Sequence, residues 1–146
     1  MIESERVVVF DVDGTLCEIK KPEQAYYEVE PRIDIIHKLN EYKANGVYII
    51  LYTSRQMRTY QGNIGKINAN TAKSMFDWLE KHSIPYDEIY FGKPWCGKKG
   101  FYVDDRAVRP DEITGKSFDD VCEFIDNQKG KSDENSDNYG RHGSKV

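Results

Sequence analysis

The sequence has few cysteines, few histidines, no excess of positive charge and no long apolar run. Three cysteines, Cys17, Cys96 and Cys122, make an odd count without C-x-x-C spacing, which excludes a disulfide framework and a cysteine-ligated zinc site. His37, His82 and His142 show no metal-ligand spacing either. With 21 Lys and Arg against 25 Asp and Glu, the net charge of −4 supplies no global field for gripping nucleic acid, and no nucleic-acid partner is expected. No apolar stretch approaches the roughly 20 residues of a membrane span, so no membrane partner is expected. The start, Met1-Ile2-Glu3-Ser4-Glu5, is acidic and unlike a secretory signal, which leaves a cytoplasmic location as the expectation. A length of 146 residues fits one domain.

What is present is a strand–helix alternation. Arg6–Phe10 reads as a short buried strand. A polar stretch, Glu18–Glu30, leads to a helix opened by Pro31, with Ile33, Ile36, Leu39 and Tyr42 on one stripe and an end near Asn45-Gly46. Val47–Tyr52 reads as a second buried strand and Gln56–Gly65 as an irregular loop. A helix starting at Asn70 or Thr71 carries Ala72, Met75, Phe76 and Leu79 and stops at Ser83-Ile84-Pro85. Glu88–Phe91 and Phe101–Val103 read as third and fourth strands, and Ser117 or Asp119 caps a last helix with Phe118, Val121, Cys122 and Ile125. This order implies right-handed βαβ units and an α/β, doubly wound, Rossmann-like, mostly parallel sheet over residues 1–128. From Lys129 to Val146 the chain is polar and reads as a disordered tail.

Ligands of such sheets sit beyond the carboxyl ends of the strands. The residues delivered there are Asp11 and Asp13, then Thr53 and Ser54, then Lys93, then Asp104 and Asp105. Taken alone, Asp13-Gly14 is an ordinary turn signal. A calcium loop of the helix-loop-helix type fails, because Thr15, Leu16 and Cys17 follow where further oxygen ligands are needed. Together the rim residues suit phosphoryl transfer. Asp11 with Asp104 or Asp105 can hold Mg²⁺, one carboxylate can attack phosphorus, and a second can move a proton. A hydroxyl and a lysine can stabilise charge on the phosphoryl oxygens.

The chain resembles a haloacid dehalogenase superfamily phosphatase. The resemblance rests on Asp11-Val12-Asp13-Gly14-Thr15, on Ile49-Ile50-Leu51-Tyr52-Thr53, on Lys93, and on Tyr102-Val103-Asp104-Asp105, and it covers about residues 6–126. It implies that Asp11 is the nucleophile and Asp13 the general acid and base. Thr53 and Lys93 would bind and stabilise the phosphoryl group, with Gly14, Thr15, Ser54 and Arg55 as substrate-binding residues. Mg²⁺ would be held by Asp11, the Asp13 backbone carbonyl and Asp104, with Asp105 orienting Asp104 or a metal-bound water. Asp at position 13 fits phosphatases and mutases, where dehalogenases lack it and transport ATPases carry Thr.

Two stretches, Thr53–Tyr60 and Phe91–Gly97, resemble small phosphatase-like proteins associated with capsular polysaccharide biosynthesis, which implies a phosphosugar or sugar-acid phosphate as the small-molecule partner. Neither Cys17–Glu30 nor Gln56–Asn70 is long enough for a cap domain. A capless enzyme is therefore expected, and with it a homo-oligomer in which a neighbouring subunit closes the site. Rival expectations are a phosphatase of nucleic-acid ends and a non-catalytic scaffold or receiver-like domain. In a receiver the acidic pair comes on the first strand and the lysine last, an order this chain does not follow.

Overall fold

The computed structural model describes residues 5–128, so the tail expected from Lys129 lies outside the described residues. Contacts group the chain into two compact units, one reaching to Phe101 and one starting at Tyr102.

The first unit is built on a three-stranded parallel sheet in the order β1 (Val7–Asp11), β2 (Tyr48–Thr53) and β3 (Glu88–Phe91). This is a mixed α/β architecture compatible with a Rossmann-like fold. Helix α1 (Ile33–Ala44) joins β1 to β2, and α2 (Ile64–Lys81) joins β2 to β3. Parallel neighbours need such crossovers, because a tight turn cannot return the chain in the same direction. Register pairs Phe10 with Leu51 and Leu51 with Ile89, while Asp11 pairs with Tyr52 and Tyr52 with Tyr90. One face of the sheet therefore gathers Phe10, Ile49 and Leu51 into the core. α1 adds Ile35, Ile36, Leu39 and Tyr42, and α2 adds Ile67, Met75, Trp78 and Leu79. Burying each large apolar side chain is worth roughly 1.5–3 kcal/mol, the main force holding the helices to the sheet.

The strands lie within one residue of their sequence-based bounds, and β3 coincides with them. The second helix differs. It begins at Ile64 instead of Asn70, because Asn63 caps it, accepting a hydrogen bond at Oδ1 from the Lys66 amide at 3.1 Å. The stripe also shifts: Phe76 is largely exposed and its edge meets the Phe91 ring, with Trp78 as the buried anchor. Trp78 Nε1 donates to the Val29 carbonyl at 2.9 Å, which ties the segment after β1 down onto α2. That segment carries a 3₁₀ turn, Tyr26–Glu28. Ile33, expected on the α1 stripe, points to solvent.

The strand expected at Phe101–Val103, where the first unit ends and the second begins, is absent from the described structure, and these residues have no regular conformation. A triplet flanked by Gly100 and an acidic pair can form too few ladder bonds to define a strand by its own pattern. A short helix α3 (Pro110–Ile113) was not anticipated. Residues 118–128 are helical as expected, and Ser117 and Asp120 exchange the two hydrogen bonds of a capping box.

Asp87, just before β3, braces β2. Its Oδ2 accepts from the Ile49 amide at 2.9 Å and its Oδ1 pairs with Lys43 at 2.6 Å. The amide bond first, and Lys43 second, hold its carboxyl below the usual range. A carboxyl depressed on folding contributes stability that is present above its unfolded value, about 4, and lost as pH falls through the lower folded value. Asp87→Ala should therefore cost about 1–2 kcal/mol at neutral pH, measured by urea unfolding. The gap to the wild-type protein should narrow in acid.

Candidate active site

The turn after β1 places the two carboxylates. Val12 is fully buried, and its carbonyl accepts from the amides of Thr15, Leu16 and Cys17. Gly14 adopts φ +84°, and a side chain there would press on Ile19. This left-handed step suits glycine. It lets the chain fold back so that the Gly14 amide donates to the Cys17 carbonyl. Gly14 is thus spent on the turn, where the sequence suggested a role in binding substrate.

Asp11 ends β1 half-buried. Its Oδ1 lies 3.3 Å from Lys93 Nζ, and its Oδ2 accepts from Thr15 Oγ1 at 3.3 Å. Burial pushes its carboxyl up; Lys93 opposes this by charge and hydrogen bonding, Asp13 adds to the rise, and Thr15 counters it. Lys93 reaches Asp11 from beyond β3, passing the Tyr52 ring of the intervening strand. Its backbone is set by a hydrogen bond from its amide to the Thr53 carbonyl at 3.1 Å. Gly92 before it has φ +93°, and a Cβ there would come within 2.5 Å of Ile64 Cδ1.

Asp13 faces a different set of groups. Arg55 Nη2 donates to Oδ1 at 2.8 Å and Arg55 Nε to Oδ2 at 3.2 Å, a two-point fork. Thr53 Oγ1 donates to Oδ2 at 3.4 Å, and Cys17 Sγ lies 3.7 Å from Oδ1. Thr53 is fully buried, and its hydroxyl also accepts from the Arg55 amide at 3.1 Å. The Arg55 guanidinium stacks on the Tyr26 ring at 4.2 Å.

The structure therefore brings together Asp11, Asp13, Thr15, Thr53, Arg55 and Lys93. Arg55 differs from expectation in its role: its fork is occupied by Asp13 instead of standing open for a substrate carboxylate. Ser54 contributes its carbonyl to the loop, accepting from the Met57 amide. One residue was missed: Tyr26, which reads in sequence as packing, backs the Arg55 guanidinium. Cys17, which has no histidine partner in the sequence pattern, is buried against Asp13, and burial and the neighbouring charge push its thiol up to about 12, which disfavours a thiolate at neutral pH.

Asp104 and Asp105 belong to the second unit, where Asp104 Oδ1 accepts from the Arg106 amide at 2.8 Å and Arg106 pairs with Asp126. Among the described residues, no group of three or more His, Cys, Asp and Glu side chains stands ready as a metal cage.

A crystal structure of a structural-genomics target from Vibrio cholerae is similar to this chain. The two are 45% identical, the match covers 84% of this chain and 98% of that one, and the TM-score is 0.79. The two chains belong to one family. No named family model matches the sequence, and no curated protein does so either. Kinship with the Vibrio cholerae protein thus supports the fold and carries no statement of activity. No described helix is long and apolar enough to cross a membrane.

The Gly92 turn gives a direct check on how Lys93 is placed. Gly92→Ala forces a left-handed alanine, costing about 1–2 kcal/mol, and crowds Ile64. The variant should show a lower Tm by calorimetry while keeping its circular dichroism spectrum.

Proposed function

We propose that this protein is a Mg²⁺-dependent phosphomonoester hydrolase of the haloacid dehalogenase type, working through an aspartyl-phosphate on Asp11. The observation that carries this reading is the division of labour between the two carboxylates. Asp11 meets a lysine and a hydroxyl at its open end. Asp13, two residues on, is held from the other side by Thr53 and Arg55. One acid thus stands beside a lysine and a hydroxyl, and the other is held by a hydroxyl and a guanidinium fork.

In the first step an Asp11 oxygen attacks phosphorus and the bond to the leaving oxygen breaks. Asp13 gives that oxygen its proton, so an alcohol departs. In the second step Asp13 takes a proton from water, the oxygen of that water attacks phosphorus, and Asp11 is released with inorganic phosphate. Lys93 lowers the barrier by meeting the charge that builds on the equatorial oxygens, while the Thr53 hydroxyl is held on Asp13.

The hard oxygen donors of Asp11 and the Asp13 carbonyl suit Mg²⁺. Mg²⁺ keeps several waters and takes only one or two carboxylates, so the absence of a preformed cage among the described residues is compatible with it. When bound, it would neutralise substrate charge and orient the phosphoryl group.

Neither the Cys17–Glu30 segment nor the loop before α2 forms a further domain, which supports a capless enzyme. We take the substrate to be a phosphosugar or a sugar-acid phosphate, with a neighbouring subunit closing the site.

With p-nitrophenyl phosphate and Mg²⁺, Asp11→Asn should abolish turnover; undiminished activity would end this reading. Lys93→Met should lower kcat by about 10²–10³, the range for losing one oxyanion donor. EDTA should stop the reaction and added Mg²⁺ should restore it.

A further inference from the structure

We infer that Arg55 is a positioning residue for Asp13, clamped between that carboxylate and the Tyr26 ring. The inference rests on the hydrolase reading and assigns Arg55 to proton transfer instead of substrate recognition.

The geometry is closed on every side. The Arg55 side chain is only 1% exposed, so it has no room to swing out toward a ligand in solvent. Nε and Nη2 take both Asp13 oxygens, and Nη1 is buried without a hydrogen-bond partner among the described residues. Burying a guanidinium with one donor unmet is costly, and pairing with Asp13 is what offsets that cost. The ring closes through the backbone. The Arg55 amide donates to Thr53 Oγ1, and that same hydroxyl donates to Asp13 Oδ2. Thr53, Arg55 and Asp13 therefore form one hydrogen-bonded circuit across the β1 and β2 ends.

Tyr26 supplies the other wall. Its ring lies 4.2 Å from the guanidinium carbon, and its own segment is anchored to α2 by Trp78 Nε1 on the Val29 carbonyl. The stretch between Cys17 and Glu30, which carries no catalytic group, thus acts as a splint for Arg55. A planar fork fixes the plane of the carboxyl it grips, which a single-point contact does not. It also leaves a counter-charge in place as Asp13 gives up its proton and negative charge grows on those same oxygens.

The clamp should matter in proportion to how much the leaving group needs a proton. p-Nitrophenolate leaves readily without one, whereas phenolate, being more basic, depends on it more. The test compares kcat/KM for p-nitrophenyl phosphate and phenyl phosphate in the wild-type protein, Arg55→Met, Arg55→Lys and Tyr26→Leu, each with Mg²⁺. General-acid help is worth about 10²–10⁴ in rate. Arg55→Met should lower the phenyl phosphate value about tenfold more than the p-nitrophenyl phosphate value. Arg55→Lys keeps the charge but loses the fork, and should fall between it and wild type. Tyr26→Leu should shift the ratio in the same direction, and Tyr26→Phe, which keeps the ring, should not. If Arg55→Met does not fold, judged by circular dichroism, the Lys and Tyr26 variants carry the comparison.

Equal losses on both substrates would overturn the inference and return Arg55 to substrate binding or plain packing. Absence of any wild-type turnover of p-nitrophenyl phosphate would instead remove the hydrolase reading, and this inference with it.

Discussion

Two carboxylates leave β1 two residues apart, both half-buried, and their repulsion has to be met within a few ångströms. Lys93 meets Asp11 and Arg55 meets Asp13. Each cation is delivered from the carboxyl end of a different strand, Arg55 from beyond β2 and Lys93 from beyond β3. The parallel sheet is what makes this supply line work, because it points all three strand ends the same way. An antiparallel neighbour would have brought its opposite end to the rim. Charge neutralisation and topology are therefore one constraint viewed from two sides.

The two pairs are built differently, and the difference follows from their surroundings. Lys93 is a long flexible arm with a point charge, set beside the more open oxygen of Asp11. Arg55 is a planar fork, almost wholly enclosed, that grips both oxygens of Asp13. A buried, geometrically matched pair is costly to form and costlier to break by removing one partner. A looser pair exchanges partners more readily. Asp11 thus has the looser and more exposed cation partner, and Asp13 the enclosed one.

Much of this frame was readable from residue patterns. The positions of β1, β2 and β3 followed from short β-branched runs, and those of Asp11, Thr53 and Lys93 at or just past their ends followed from where those runs stop; Asp104 and Asp105 do not follow a strand. The helix at 118–128 followed from a capping residue at Ser117 or Asp119 and from the stripe of Phe118, Val121, Cys122 and Ile125. What was not readable had local causes. α2 starts six residues before Asn70 because Asn63 captures the Lys66 amide, and Gly62 and Gly65 masked that cap. Phe101–Val103 has strand-forming residues, but a triplet is too short for its pattern to decide its conformation. Arg55 was visible as a site residue, yet its partner was not. Nothing in the spacing of Asp13 and Arg55 states that a fork joins them, since the two meet only when β1 and β2 are side by side.

Lys93 reaches Asp11 across the whole of β2, so the lysine arm measures the sheet. Neighbouring strands stand about 4.8 Å apart, so β1 and β3 are two such steps apart, and the gap is closed from both sides, by the Lys93 arm and by the Asp11 carboxylate that meets it. The contact therefore acts as a ruler laid across the strands. Local changes in twist or loop length can be absorbed, but a strand inserted between β1 and β3 would leave the ammonium short of its mark. The contact thus depends on a single strand lying between β1 and β3.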